Sequence, residues 1–261
     1  MQPKSPFIHL LHFFLEGHFL ISLGACALCF ETNLLLHQSL QSNFFYAFVF
    51  FATLFTYNLY YIKDANFLYA KSLAIVGLAG SILSFFLMPY QPIVSLGIIT
   101  VLSILYILPI FIAIRKPEAF NVQKLILLIC IWVITTYVMP QTEFHFDAQQ
   151  VVLLTYRTLF ISLLSLLFFI RDEAKPILKR RGIFTTYLLI AMQYLTCISI
   201  ALLCDIGLAL VFAFITSLLL LLTIRFTRKK VASMYYLGFV DGLMCLELIF
   251  VTLKLAYFNE S

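Results

Sequence analysis

A chain of 261 residues that is 63% hydrophobic and 11% charged, with a mean hydropathy of +1.03, has too little charge to solvate a water-soluble surface; soluble domains use about 25% charged residues. The net charge of +5 does not make a nucleic-acid binder, because the basic residues are scattered between apolar runs rather than gathered in a hydrated stripe. About 20 helical residues cross a hydrocarbon core, so a chain of this length filled with spans has no room for a separate soluble domain, and residues 1–261 read as one integral-membrane domain.

The apolar runs are solid rather than alternating, which predicts helices and excludes a membrane barrel. In chain order they cover Phe7–Phe30, Phe44–Ile62, Ser72–Met88, Pro92–Ile114, Val122–Met139, Val151–Ile170, Ile183–Leu203, Ile206–Ile224 and Ser233–Phe258. The expected fold class is therefore all-α, a polytopic bundle of nine transmembrane helices. The first run is too long for a secretory signal and is taken as a retained span. The short separations at Pro89–Gln91 and Cys204–Asp205 are expected to be tight hairpins, because fusing either pair would make a helix far longer than a bilayer requires. Cys26, Cys29, Cys130, Cys197, Cys204 and Cys245 lie in or at the ends of apolar runs and read as small apolar fillers rather than a disulfide framework.

The basic residues test this map, since positive charge favours cytosolic loops. Lys4 precedes the first span; Lys63 and Lys71 follow the second; Arg115, Lys116 and Lys124 follow the fourth. Arg171, Lys175, Lys179, Arg180 and Arg181 follow the sixth, and Arg225, Arg228, Lys229 and Lys230 the eighth. The intervening connections hold Glu31, Gln91, Glu143 with Asp147, and Asp205, and only Lys254 approaches that side. The alternation predicts a cytosolic N-terminus and an external C-terminus. The expected location is a bacterial inner (cytoplasmic) membrane.

Polar groups at depth are the first candidates for function. Arg157 lies about 9 Å inside the sixth span and should face the bundle interior, as a structural pair or a cavity lining. His9, His12 and Glu16 share a helical face, which suits interhelix hydrogen bonding or a metal or proton site. Asp241 and Glu247 are too far apart on the last span to form a close pair.

Two cytosolic helix ends are richer. The second span closes on Thr56-Tyr57-Asn58-Leu59-Tyr60-Tyr61-Ile62-Lys63-Asp64. The sixth closes on Phe168-Phe169-Ile170-Arg171-Asp172-Glu173-Ala174-Lys175-Pro176, with Gly182, Thr185 and Thr186 opening the next. Such a mixture of Arg, Lys, acids and Gly at a membrane boundary suits an anionic diphosphate whose lipid tail stays in the bundle.

In these stretches the chain resembles the UbiA-type intramembrane prenyltransferases. Phe169-Ile170-Arg171-Asp172 followed by Gly182 and Thr185 or Thr186 is similar to their second Asp-rich motif, and Asn58 to the Asn that opens the first. Leu105-Tyr106-Ile107-Leu108-Pro109 is similar to the family's aromatic-Pro helix end, and the Asp241-Gly242 pair near the start of the ninth span also resembles the family. The resemblance implies nine helices and transfer of an isoprenyl group from a prenyl diphosphate to a lipid-soluble acceptor, with membrane lipids around and no nucleic acid. It implies catalytic roles for Asn58 and Asp172, and Mg2+ held by Asp172 and Asp64. Lys63, Arg171 and Lys175 would bind the diphosphate, and Tyr57, Tyr61 and Phe169 the isoprenoid. The family's usual acids are replaced by Leu59, Ile62, Phe169 and Pro176. That depletion keeps open a relative without turnover that binds or moves an isoprenoid; a secondary transporter and a terpenoid-cyclising branch are further alternatives.

Overall fold

A computed structural model describes residues 13–60, 69–89, 92–111, 117–142, 147–172, 176–228 and 233–258. Among them there is no strand. The helices are α1 (Phe19–Leu35), α2 (Asn43–Tyr60), α3 (Ala70–Leu87), α4 (Ile93–Phe111), α5 (Pro117–Val133, continued by a π-helical turn, Ile134–Val138), α6 (Ala148–Asp172), α7 (Pro176–Leu203), α8 (Ile206–Arg228) and α9 (Ser233–Phe258). Four stretches within them, Ala70–Leu87, Ala148–Phe168, Lys179–Leu203 and Ile206–Arg225, are long and apolar enough to cross a membrane. The surface carries the apolar side chains: Leu202 is 80% exposed, and Val94, Phe86 and Ile75 are also open. Arg157, Glu31 and Glu247 are inside. That inversion suits a lipid surround, where backbone groups must be satisfied within helices.

The packing order closes a ring. Helix α1 lies along α9, α9 along α8, α8 along α7, α7 along α6 and α6 along α5, while the π-turn after α5 returns to α1. Helix α2 packs outside α1, and α3 outside α2. The ring's interior holds an apolar core that includes Leu28, Phe160, Leu163, Phe212, Ile215, Leu219 and Val251. The expected hairpin at Cys204–Asp205 is present, with α7 and α8 side by side. The one expected at Pro89–Gln91 is not a side-by-side pair: α4 packs against α5, its π-turn and α2. Helix α3 already has its small-residue face filled by α2, which leaves only its lipid-type face free.

That face explains the close α2–α3 contact. Ala70, Ala74, Gly77, Ser81 and Ser84 are all buried and recur every three or four residues, a small-residue stripe that lets two helix backbones approach. A Cβ on Gly77 would stand 2.6 Å from the Phe55 backbone nitrogen and 3.0 Å from the Phe51 carbonyl oxygen. Both obstacles are main chain and cannot rotate away. Gly77→Ala is therefore expected to lower stability by about 1–3 kcal/mol, the ordinary cost of overpacking, as a fall in the unfolding midpoint in detergent. A midpoint equal to the wild type's would show that the pair is less tightly seated.

The first apolar run is the main correction. A helical turn at residues 13–16 ends at Gly17 and at His18, whose φ of 62° is left-handed, and α1 then continues to Leu35. Glu31, expected in a connection, is consequently inside a helix and fully buried. A charged residue reads as a loop only when no partner is visible nearby in sequence. Here the partner is Arg157.

The π-turn needs side chains from α1, because wide i→i+5 turns release carbonyls that a regular helix would occupy. The Cys29 thiol donates to the Thr135 carbonyl (3.3 Å), and the Thr32 hydroxyl lies 2.7 Å from the Thr136 carbonyl and 2.9 Å from that of Leu28. Asn33 Nδ2 and Gln41 Nε2 both donate to the Pro140 carbonyl, at 3.0 and 2.7 Å. All six cysteines are free thiols.

At the α7–α8 turn, Asp205 Oδ1 accepts from the Leu208 N–H at 2.7 Å and caps α8, while Oδ2 pairs with Lys254 Nζ at 3.0 Å. This pairing accounts for the one lysine that departs from the charge map. Burial opposes ionisation of Asp205, but the Leu208 N–H and the Lys254 ammonium outweigh it and hold the carboxyl below its usual range. With the folded value below the unfolded one, the stabilisation is complete above the ordinary aspartate pKa of about 3.9 and lost as pH falls through the folded value. Thermal unfolding in detergent should show an acid-side loss of stability that is smaller in Asp205→Asn; identical acid profiles would remove the pair from the account.

Candidate functional site

The residues marked by the sequence fall into three groups. Tyr61, Lys63, Asp64 and Lys175 lie outside the described residues. Phe169, Arg171 and Asp172 form the last turn of α6 along the backbone, and their side chains lie outside the description. Asn58 and Tyr57 are described fully.

Asn58 is completely buried in the last turn of α2. Its Nδ2 donates to the Gly17 carbonyl at 3.1 Å and to the Leu54 carbonyl at 2.8 Å. Two carbonyl acceptors fix which amide atom is nitrogen, since only the NH2 can donate to both. Its Oδ1 is thereby oriented and has no hydrogen-bond partner among the described residues. Tyr57 is half-buried, and its hydroxyl oxygen accepts from Trp132 Nε1 at 3.1 Å. Three residues on, Tyr60 stacks on Tyr106 at 5.6 Å, and Lys124 Nζ sits 5.5 Å from the first ring and 6.0 Å from the second. Sequence reasoning counted Lys124 only as a loop charge; the Tyr106 helix end was its signal.

On the other motif, Gly182 packs against Ile170: a Cβ there would meet Ile170 Cγ1 at 2.9 Å. The glycine thus lets α7 turn closely past the end of α6. Thr186 is buried and donates to the Gly182 carbonyl at 2.9 Å, whereas Thr185 is exposed. Helix α2 packs on α1, α3 and α4, and α6 on α5, α7 and α8. Among the described residues no group of three or more His, Cys, Asp or Glu side chains is placed to hold a metal ion. Asn58 Oδ1 is a hard oxygen of the kind magnesium takes.

A second polar centre lies deeper. Arg157, 2% exposed, faces inward as expected, with Nη2 at 3.2 Å from Glu31 Oε1. Glu247 of α9, also fully buried, is near enough to interact with Arg157, Glu31 and Tyr156. Tyr156 stacks on Phe212 at 4.0 Å, which fixes its ring. Sequence reasoning found Arg157 and noted Glu247, but missed Glu31 as a partner. The signal was available in principle: an arginine at lipid depth requires an acid at the same depth.

No family model, curated protein or solved structure matches the chain.

Proposed function

We propose that the chain is a nine-span integral protein of a bacterial inner membrane, with a UbiA-like bundle and a cytosolic N-terminus, that moves an isoprenyl group from a prenyl diphosphate to an aromatic or lipid-like acceptor. Support for the topology comes from basic residues that fall at alternate helix ends. The observation that carries the chemistry is Asn58 Oδ1, held without a partner among the described residues by an amide whose two hydrogens are both engaged.

Allylic C–O cleavage requires the departing diphosphate to be stabilised more strongly than the bound ester. A magnesium ion, when bound, neutralises that charge; Asn58, Asp64 and Asp172 are the oxygens this chain would offer it. Arg171, Lys175 and Lys63 add charge-assisted contacts to the phosphate oxygens. Tyr57, Tyr61 and Phe169 give apolar faces to the isoprenoid, and their π-faces favour an allylic cation. The test is release of diphosphate from prenyl diphosphates of defined length, with phenolic acceptors, in detergent or liposomes, with and without chelator. Transfer that depends on Asn58 supports the proposal; absence of release from every donor and acceptor pair overturns it.

One observation favours a second reading, a bundle that binds or moves an isoprenoid without turnover. Asn58 also ties α2 to the turn before α1 through Gly17, a structural task independent of chemistry. Retention of isoprenoid without diphosphate release would select this reading.

A further inference from the structure

The deep centre of the bundle has a charge count that does not balance. Glu31 from α1, Arg157 from α6 and Glu247 from α9 are all at least 98% buried, giving two carboxylates to one guanidinium. The groups facing Glu247 are Glu31 on α1, Tyr156 and Arg157 on α6, and Cys197 on α7. Helix α8, which packs along α9, has no ionisable side chain between Ile206 and Ile224. Lys254, farther along α9, is engaged by Asp205.

The unpartnered atoms gather at the same place. Both oxygens of Glu247, Glu31 Oε2, the Tyr156 hydroxyl and Arg157 Nη1 are buried without a hydrogen-bond partner among the described residues, and Glu31 Oε1 has the 3.2 Å ion pair with Arg157 Nη2. The Tyr156 hydroxyl lies on the Glu247 side of the cluster. Native interiors leave few polar groups unsatisfied, so this many on three helices joined by the Glu31–Arg157 pair and its interaction with Glu247 mark a position for a small polar ligand. Its charge follows from its neighbours. Two carboxylates repel an anion, and the guanidinium among them opposes a metal ion, whereas a proton neutralises the surplus carboxylate directly.

We propose that Glu31, Tyr156, Arg157 and Glu247 form a proton site, in which the Glu31–Arg157 pair is ionised and Glu247 carries one exchangeable proton. The site is distinct from the cytosolic helix ends: Arg157 and Asp172 are separated by about 22 Å along α6, at about 1.5 Å per residue. It does not depend on the prenyl-transfer reading.

The rule it imposes is countable: protonated acids equal buried carboxylates less guanidinium. Infrared difference spectroscopy on the full chain in liposomes near pH 7 reads it, through the carbonyl stretch of a protonated carboxylic acid and its shift on exchange into D2O. Wild type should show one such acid in the difference against Glu247→Gln. Glu31→Gln should lose the same band, because Glu247 then ionises to pair with Arg157. Arg157→Gln should roughly double it. Glu247→Gln and Glu31→Gln are near-isosteric and independent, so one suffices if the other or the arginine variant does not fold. A wild type without the band, or a band unchanged in the glutamate variants, overturns the proposal.

Discussion

Arg157→Met is expected to destabilise the bundle by about 3–5 kcal/mol, the usual cost of removing one partner from a buried ion pair. Methionine fills much of the arginine volume and adds no polar atom, so the cost comes from Glu31, which is fully enclosed and must take up a proton once the guanidinium beside it is gone. Removing both partners is the control. In Glu31→Gln with Arg157→Met no uncompensated charge remains, and most of the lost stability should return, because buried pairs replaced together are often close to neutral. The free thiols supply the readout: Cys29 is fully buried and reacts with a thiol probe only when the bundle opens. A single variant that unfolds with the wild type would mean that the pair contributes nothing. Failure of the double variant to recover would mean that the glutamine amide is itself unsatisfied there.

Asn58→Ala should lower prenyl transfer by about 100-fold or more, as expected when one positioned polar group is removed from a site of developing charge. It also deletes the bonds to Gly17 and Leu54 and leaves the Gly17 carbonyl without its donor, at about 1–3 kcal/mol of stability. The two effects are separable. Diphosphate release measured on protein shown to be folded by thiol protection isolates the chemical loss. Isoprenoid retention should hardly change, since apolar contacts hold the tail. A variant that keeps wild-type turnover would remove Asn58 from the chemistry and leave it a helix tie.

Much of the helix layout is legible because hydropathy is a local property. The ends of α2, α3 and α9 fall within a few residues of the apolar runs, and the last is met at both Ser233 and Phe258. The reading fails where a distant group changes the meaning of a residue. Glu31 marks a loop until Arg157 is placed against it, and Lys254 is an exception to the charge pattern until Asp205 is seen beside it. The route of α4 is hidden for a related reason: a short connection suggests neighbours, but the small-residue face of α3 is already taken by α2. Of the candidate site, Asn58 and the Ile170–Gly182 contact are visible as a motif, whereas the deep charge cluster joins residues separated by most of the chain.

The clasp between α1 and the π-turn bears on biogenesis. Cys29, Thr32 and Asn33 emerge from the ribosome more than a hundred residues before the carbonyls they bind, and Glu31 still earlier relative to its arginine. Until then α1 must wait in the insertion machinery or the bilayer with a carboxyl group and several donors unanswered. Helix α1 is seated late: α5 and α6 bring its polar partners, and the ring closes only when α9 packs along it.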